Sequence, residues 1–190
     1  MEYYLKDMSS STSMPTKPNE KKAKLPNGLI EDVNAKALVS KYIARADKNL
    51  EFMNITSELS TNKDAQKALQ LPETYSNDEW VIITAYYSMY VASLALLAKL
   101  GYRSNTHTAT ILALERFFVK KELIEPHYLA MFKHAHEQIS EKDVETLSKE
   151  KENRETAQYE VTKAVTHSIA EASRKNAVAF VNKVKSLLTK

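Results

Sequence analysis

From Glu31 onward, apolar side chains recur at three- and four-residue steps, the period of a helix with one buried face. In "EDVNAKALVSKYIARADKNLEFMNITSELS" the stripe runs Ala35, Leu38, Tyr42, Ala46, Leu50, Met53. "LPETYSN" interrupts it. Ser76, with Glu79 three residues on, has the spacing of a capping box and predicts the start of a second helix. That helix should stop at Gly101, a residue suited to the left-handed position after a helix, with Lys99 near the negative end of the dipole. Ser104 is positioned to cap a third helix through "HTATILALERFFVKKEL". Pro126 suits the first turn of a fourth, "PHYLAMFKHAHEQI". Ser140 opens the charged "SEKDVETLSKEKENRETAQYEV", and a last helix should bury Ala177, Phe180 or Val181, Val184 and Leu188. No stretch alternates long enough to compete as a strand. The pattern predicts an all-α fold, a five- or six-helix up-and-down bundle.

The second helix is unusual. From Trp80 to Ala98 it carries no charge and is long enough to cross a bilayer. Its middle, however, holds Thr84, Tyr86, Tyr87, Ser88, Tyr90 and Ser93. Tyr hydroxyls seek partners and favour a membrane interface over its hydrocarbon centre. A helix enclosed in a bundle is apolar nearly all round. The expectation is therefore a central core helix and no membrane.

Composition agrees with long helices. Among 190 residues there are only 2 Gly and 5 Pro, too few for a turn-rich β fold. There is no Cys, which excludes disulfides, thiolate chemistry and Cys-based zinc sites and fits a cytoplasmic setting. The net charge of +3 is too mild to indicate nucleic acid by itself. Residues 1–30 lack the apolar core of a secretory signal, and Ser, Thr, Pro and Lys dominate. They read as a basic, polar tail preceding a bundle domain over 31–190.

In order along the chain, "AYYSMYVASLALLAKLGYRSNTHTATI", "RETAQYEV" and "AVAFVNKVKSLL" resemble the HEPN domain family (higher eukaryotes and prokaryotes nucleotide-binding). The resemblance covers roughly Asp32 to Leu188 and is to the prokaryotic single-domain type. It implies a homodimeric helical bundle that associates with nucleotide or RNA. It also implies a nucleotidyltransferase partner in a toxin–antitoxin pair. Active members resemble metal-independent endoribonucleases with Arg, four to six residues, then His on a late helix. Here the matching stretch is Arg154 to Tyr159, with Tyr159 standing where that His would be. Tyr titrates near 10 and His near 6.5, so Tyr159 is a poor general base at neutral pH. Arg154 still offers a planar fork to a phosphate, and Gln158 shares its helix face. The bland alternative pairs Arg154 with Glu150 as a solvated ion pair.

Other side chains carry two readings each. Tyr86 and Tyr90 share a helix face, while Tyr87 points ~100° away. They line a nucleotide groove or pack in a core or dimer interface. His107 at a helix start approaches a phosphate, or only caps and packs. "HAHE" looks metal-like, yet His134 and His136 point ~200° apart on a helix, and His127 with His134 has no third ligand. Neither a metal site nor a cofactor is expected. Three functions stay open: nucleotide or RNA binding with a regulatory role, a ribonuclease toxin with an altered Arg–Tyr site, and a structural dimer module.

Overall fold

The computed structural model describes residues 24–137 and 167–189. The fold is all-α, a helical bundle with one small sheet. A short strand β1 (Leu29–Glu31) and a 3-10 turn (Val33–Leu38) lead into α1 (Val39–Thr61). α2 (Lys63–Ala68) is a brief satellite, and α3 (Asp78–Lys99) is the central helix. Strand β2 (Tyr102–Ser104) follows, then α4 (His107–Leu114), which widens into a π-helical segment (Glu115–Val119). α5 occupies residues 126–137, and α6 is His167–Leu188.

The long helices alternate in direction, and specific contacts show how. Asn77 N–H donates to Ser60 Oγ at 2.9 Å, so α3 begins where α1 ends. His167 Nδ1 lies 2.9 Å from Asp78 at the start of α3, and Lys99 Nζ at its end donates to the Leu188 carbonyl at 2.7 Å. α3 and α6 are therefore parallel neighbours pinned at both ends. α1 opposes α6 through Ser57 with Glu171 and Asp47 with Lys185. Glu125 meets Lys183, and His136 meets Tyr86, so α5 runs against both α3 and α6. The result is up-down-up-down for α1, α3, α5 and α6.

α3 is long and apolar enough to cross a membrane by length and composition alone. In the fold most of it is enclosed: Val81, Ala85, Tyr86, Ala92, Leu96 and Leu97 are buried. The α1 stripe is borne out at Ala35, Ala46 and Met53, all fully buried, and the α6 stripe at Ala177, Phe180, Val181 and Val184. Small side chains on α3 let α1 and α6 approach closely, and packing at crystal-like density supplies the stabilisation.

Three local expectations are corrected. No capping box opens α3: Asn77 is the N-cap without a side-chain bond, and Ser76 bonds Asp78 instead. Ser104 ends a strand, and Thr106 caps α4 by accepting from Ala109 N–H at 3.1 Å. The tail ends before residue 30. Leu25 packs on the core, Leu29 is buried, and β1 pairs antiparallel with β2, Ile30 opposite Arg103. Three-residue strands are too short for an alternation to show in sequence. Gly101, by contrast, sits as expected, with φ +83° and its N–H bonded to the Ala98 carbonyl at 2.9 Å.

Candidate functional site

The sheet determines where α4 begins. Asp32 N–H bonds to the Gly101 carbonyl at 2.8 Å and Asn105 N–H to the Gly28 carbonyl at 2.9 Å. This returns the chain tightly after α3 and lays His107, the first residue of α4, against the tyrosine face of α3. Gly28 has φ +92°, and a Cβ there would stand 3.0 Å from the Thr106 hydroxyl that caps α4.

Four near-parallel rings meet at that point. Tyr90 and His107 stack at 4.0 Å with 6° between planes. His107 and His136 lie 5.3 Å apart at 12°, and Tyr86 is near-parallel to both imidazoles. Phe132, one turn before His136 on α5, closes the cluster against Tyr86 at 5.3 Å. The Tyr86 hydroxyl bonds to His107 Nδ1 and lies 3.2 Å from His136 Nδ1. Tyr86 is only 1% exposed, so this hydroxyl has little water to turn to.

The electrostatics follow from burial. Burial raises the Tyr86 hydroxyl far above its usual range, with Tyr90 and Tyr87 adding to the effect. Tyr90 is raised by burial as well, against a hydrogen bond with Thr110 that lowers it. Burial first, and His136 second, lower the His107 imidazole, leaving it neutral at pH 7. The expected neutral His107 is thus observed, but burial and His136 are the causes rather than the helix end.

Tyr90 has a second face. Between α1 and α3 lies a groove of about 450 Å³, within the range of small-ligand sites. Tyr90, Tyr87 and Trp80 from α3 and Tyr42, Phe52 and Arg45 from α1 form its walls. Trp80, Phe52 and Tyr87 are 57%, 54% and 42% exposed, too much apolar surface for core residues. The expected split of the tyrosines is observed: Tyr86 points into the bundle and Tyr87 into this groove. A second groove of about 260 Å³ lies between α3, α5 and α6, walled mainly by Ile82, Met89, Met131 and Ile169.

Of the residues singled out in the sequence, Tyr86, Tyr90 and His107 are brought together. Arg154, Gln158 and Tyr159 lie outside the described residues. His134 is exposed beside the smaller groove while His136 turns inward, as their angular separation requires. Among the described residues no three His, Cys, Asp or Glu side chains gather as a metal site. Sequence reasoning missed Arg45, Phe52, Trp80 and the partnership of His136 with Tyr86. Trp80 did carry a signal, as the chain's only tryptophan at the polar end of an uncharged helix. His136 carried none, because 29 residues of chain separate it from His107. No family model matches this chain, and no curated protein or solved structure matches it either.

Proposed function

We propose that this chain is a HEPN-like nucleotide- or RNA-binding protein and that the α1–α3 groove receives a base. The observation that carries the reading is the wall itself: Tyr90, Tyr87, Trp80, Tyr42 and Phe52 around one cavity with Arg45 beside them. Every base has a π face, and stacking on an aromatic side chain contributes ~1–3 kcal/mol per base. Arg45 adds a permanent positive fork for a phosphate at the groove edge. About 450 Å³ suits one nucleotide and not a long duplex segment. Binding rather than cleavage fits a groove whose aromatic residues include no histidine and no carboxylate base. The HEPN resemblance adds Arg154 as a further phosphate contact and a nucleotidyltransferase as a partner in regulation.

A second reading rests on the same exposed face. Ile55, 65% exposed, extends the patch of Phe52 and Trp80 along α1. Such a patch also suits a homodimer in which copies cover one another's aromatics.

Trp80 makes the test direct, because the sole tryptophan lies in the groove. Titrate the protein with AMP, UMP and a short single-stranded RNA and follow Trp80 fluorescence at low and moderate salt. Saturable quenching is expected, weakened by Tyr87→Ala. Arg45→Ala should weaken the nucleotides and RNA but leave adenosine little changed. Unchanged fluorescence up to millimolar ligand would reject the groove as a nucleotide site. Sedimentation of wild type and Phe52→Ala then distinguishes the dimer face: a dimer that Phe52→Ala dissociates supports it.

A further inference from the structure

We propose that the Tyr86 hydroxyl, shared by the Nδ1 atoms of His107 and His136, makes the aromatic groove a pH-gated site, open to a base at neutral pH and lost once both imidazoles carry a proton. The inference rests on the nucleotide reading of the groove, and concerns how that groove is regulated.

The argument is a count of protons. Tyr86 has one hydroxyl hydrogen and an oxygen that accepts. With both rings neutral, it donates to the Nδ1 of one imidazole and accepts from the Nδ1–H of the other. A proton added to the ring already donating leaves every bond in place. A second proton has to go on the Nδ1 that Tyr86 is donating to. Both rings then present N–H to the same oxygen, and the Tyr86 hydrogen loses its acceptor in a site only 1% exposed. Two positive rings would also stand 5.3 Å apart. The arrangement holds one extra proton and not two.

The groups around the pair give no relief. α3 contributes Tyr86, Tyr87 and Tyr90, with burial raising Tyr86 and Tyr90 so that neither ionises to compensate. α5 contributes His136 with Phe132 behind it, while Lys133 is engaged with Glu115 at 3.0 Å. From α1, Tyr42 and the cation Arg45 lie beyond Tyr90 on the groove side. Where α6 approaches Tyr86 it offers Ser168, Ser173 and Asn176, none of them titratable in this range. His107 takes its proton last. It is the more disfavoured ring by burial and by His136, and it begins α4, where the helix dipole opposes positive charge. Its departure matters to the groove because its ring backs Tyr90 at 4.0 Å, and Tyr90 is a groove wall. Losing that backing frees Tyr90 to fill or leave the cavity.

Adenosine is the probe for the gate, since it brings no phosphate whose attraction would rise with added positive charge. Measure its affinity by Trp80 fluorescence from pH 8 to pH 5. In parallel, record the histidine and Tyr90 ring NMR signals of the ligand-free protein over the same range. Affinity should fall as pH drops, approaching tenfold per pH unit below the second protonation, because the competent fraction falls by that factor. Tyr90 signals should move in step with His107. His136→Phe, which keeps a ring but removes the second proton site, should flatten both profiles. Tyr86→Phe, which removes the shared oxygen, should flatten the affinity profile as well, and circular dichroism checks that both variants fold. Adenosine binding that stays constant with pH, or Tyr90 signals that ignore the histidine titration, overturns the gate and leaves the nucleotide reading standing. A pH dependence unchanged in both variants also overturns it. Tyr90 signals that follow His107 without any ligand binding at pH 8 support the switch and reject the nucleotide reading.

Discussion

Glu171→Gln should loosen the join between α6 and α1, and the size of the effect can be worked from the geometry. Glu171 accepts from Ser57 Oγ on α1 at 2.7 Å. It also receives both Arg174 Nε and a terminal guanidinium nitrogen, each at 2.9 Å. Arg174 reaches on to Asn54 of α1 at 3.3 Å. The Arg174 bonds first, then Ser57, lower the Glu171 carboxyl from 4.5 to about 2. Taken whole, a shift of that size corresponds to roughly 3 kcal/mol at ~1.36 kcal/mol per unit. The Arg174 and Glu171 side chains are 31% and 26% exposed and only three residues apart, so water screens much of it. An expected loss of about 1–2 kcal/mol remains, or a melting temperature lower by ~2–8 °C for a chain of this size. The sign is fixed by the direction of the shift. A lowered carboxyl stabilises the fold above its unfolded value near 4.5, and that stability disappears as pH falls toward 2. Urea unfolding of wild type and Glu171→Gln at pH 7, 5, 4 and 3 measures the difference without adding salt. The gap should be full at pH 7 and 5 and shrink at 4 and 3. A gap of equal size at every pH would refute the electrostatic account. The absence of a gap at pH 7 would show that the clasp adds nothing to stability.

Phe180→Ala, at a side chain 1% exposed and in ring contact with Tyr128, should cost ~3–5 kcal/mol in urea unfolding. Thr106→Ala removes the α4 cap and should cost ~1 kcal/mol, with faster amide exchange at Ala109. Tyr86→Phe leaves two half-buried imidazoles without their shared hydroxyl and should cost about 1–3 kcal/mol, with upfield or downfield movement of both histidine ring signals. Labelled RNA incubated with the purified chain, with and without EDTA, should stay intact, because Tyr159 replaces the His of the HEPN ribonuclease motif. Metal-independent cleavage that Arg154→Ala and Tyr159→Phe both abolish would make the chain a ribonuclease instead.

The sequence by itself determined the elements. Periodicity of 3.6 placed Ala46 and Met53 of α1 and Ala177, Phe180, Val181 and Val184 of α6 in the core, because a helix fixes the angle between its own residues. The same rule separated Tyr86 from Tyr87 and His134 from His136 before any neighbour was known. Gly101 was legible because a left-handed backbone angle is a local demand that glycine meets. What lay across a helix boundary was not legible. The sheet of β1 and β2 is three residues wide, too short to leave a period, yet it decides where His107 lands. His107 and His136 are 29 positions apart and share one hydroxyl only because α4 and α5 both fold back onto α3. Phe52 and Trp80 read as unremarkable apolar positions until α1 and α3 lie antiparallel and leave a space between them. Local geometry constrains a residue's direction, and only tertiary packing decides what that direction meets.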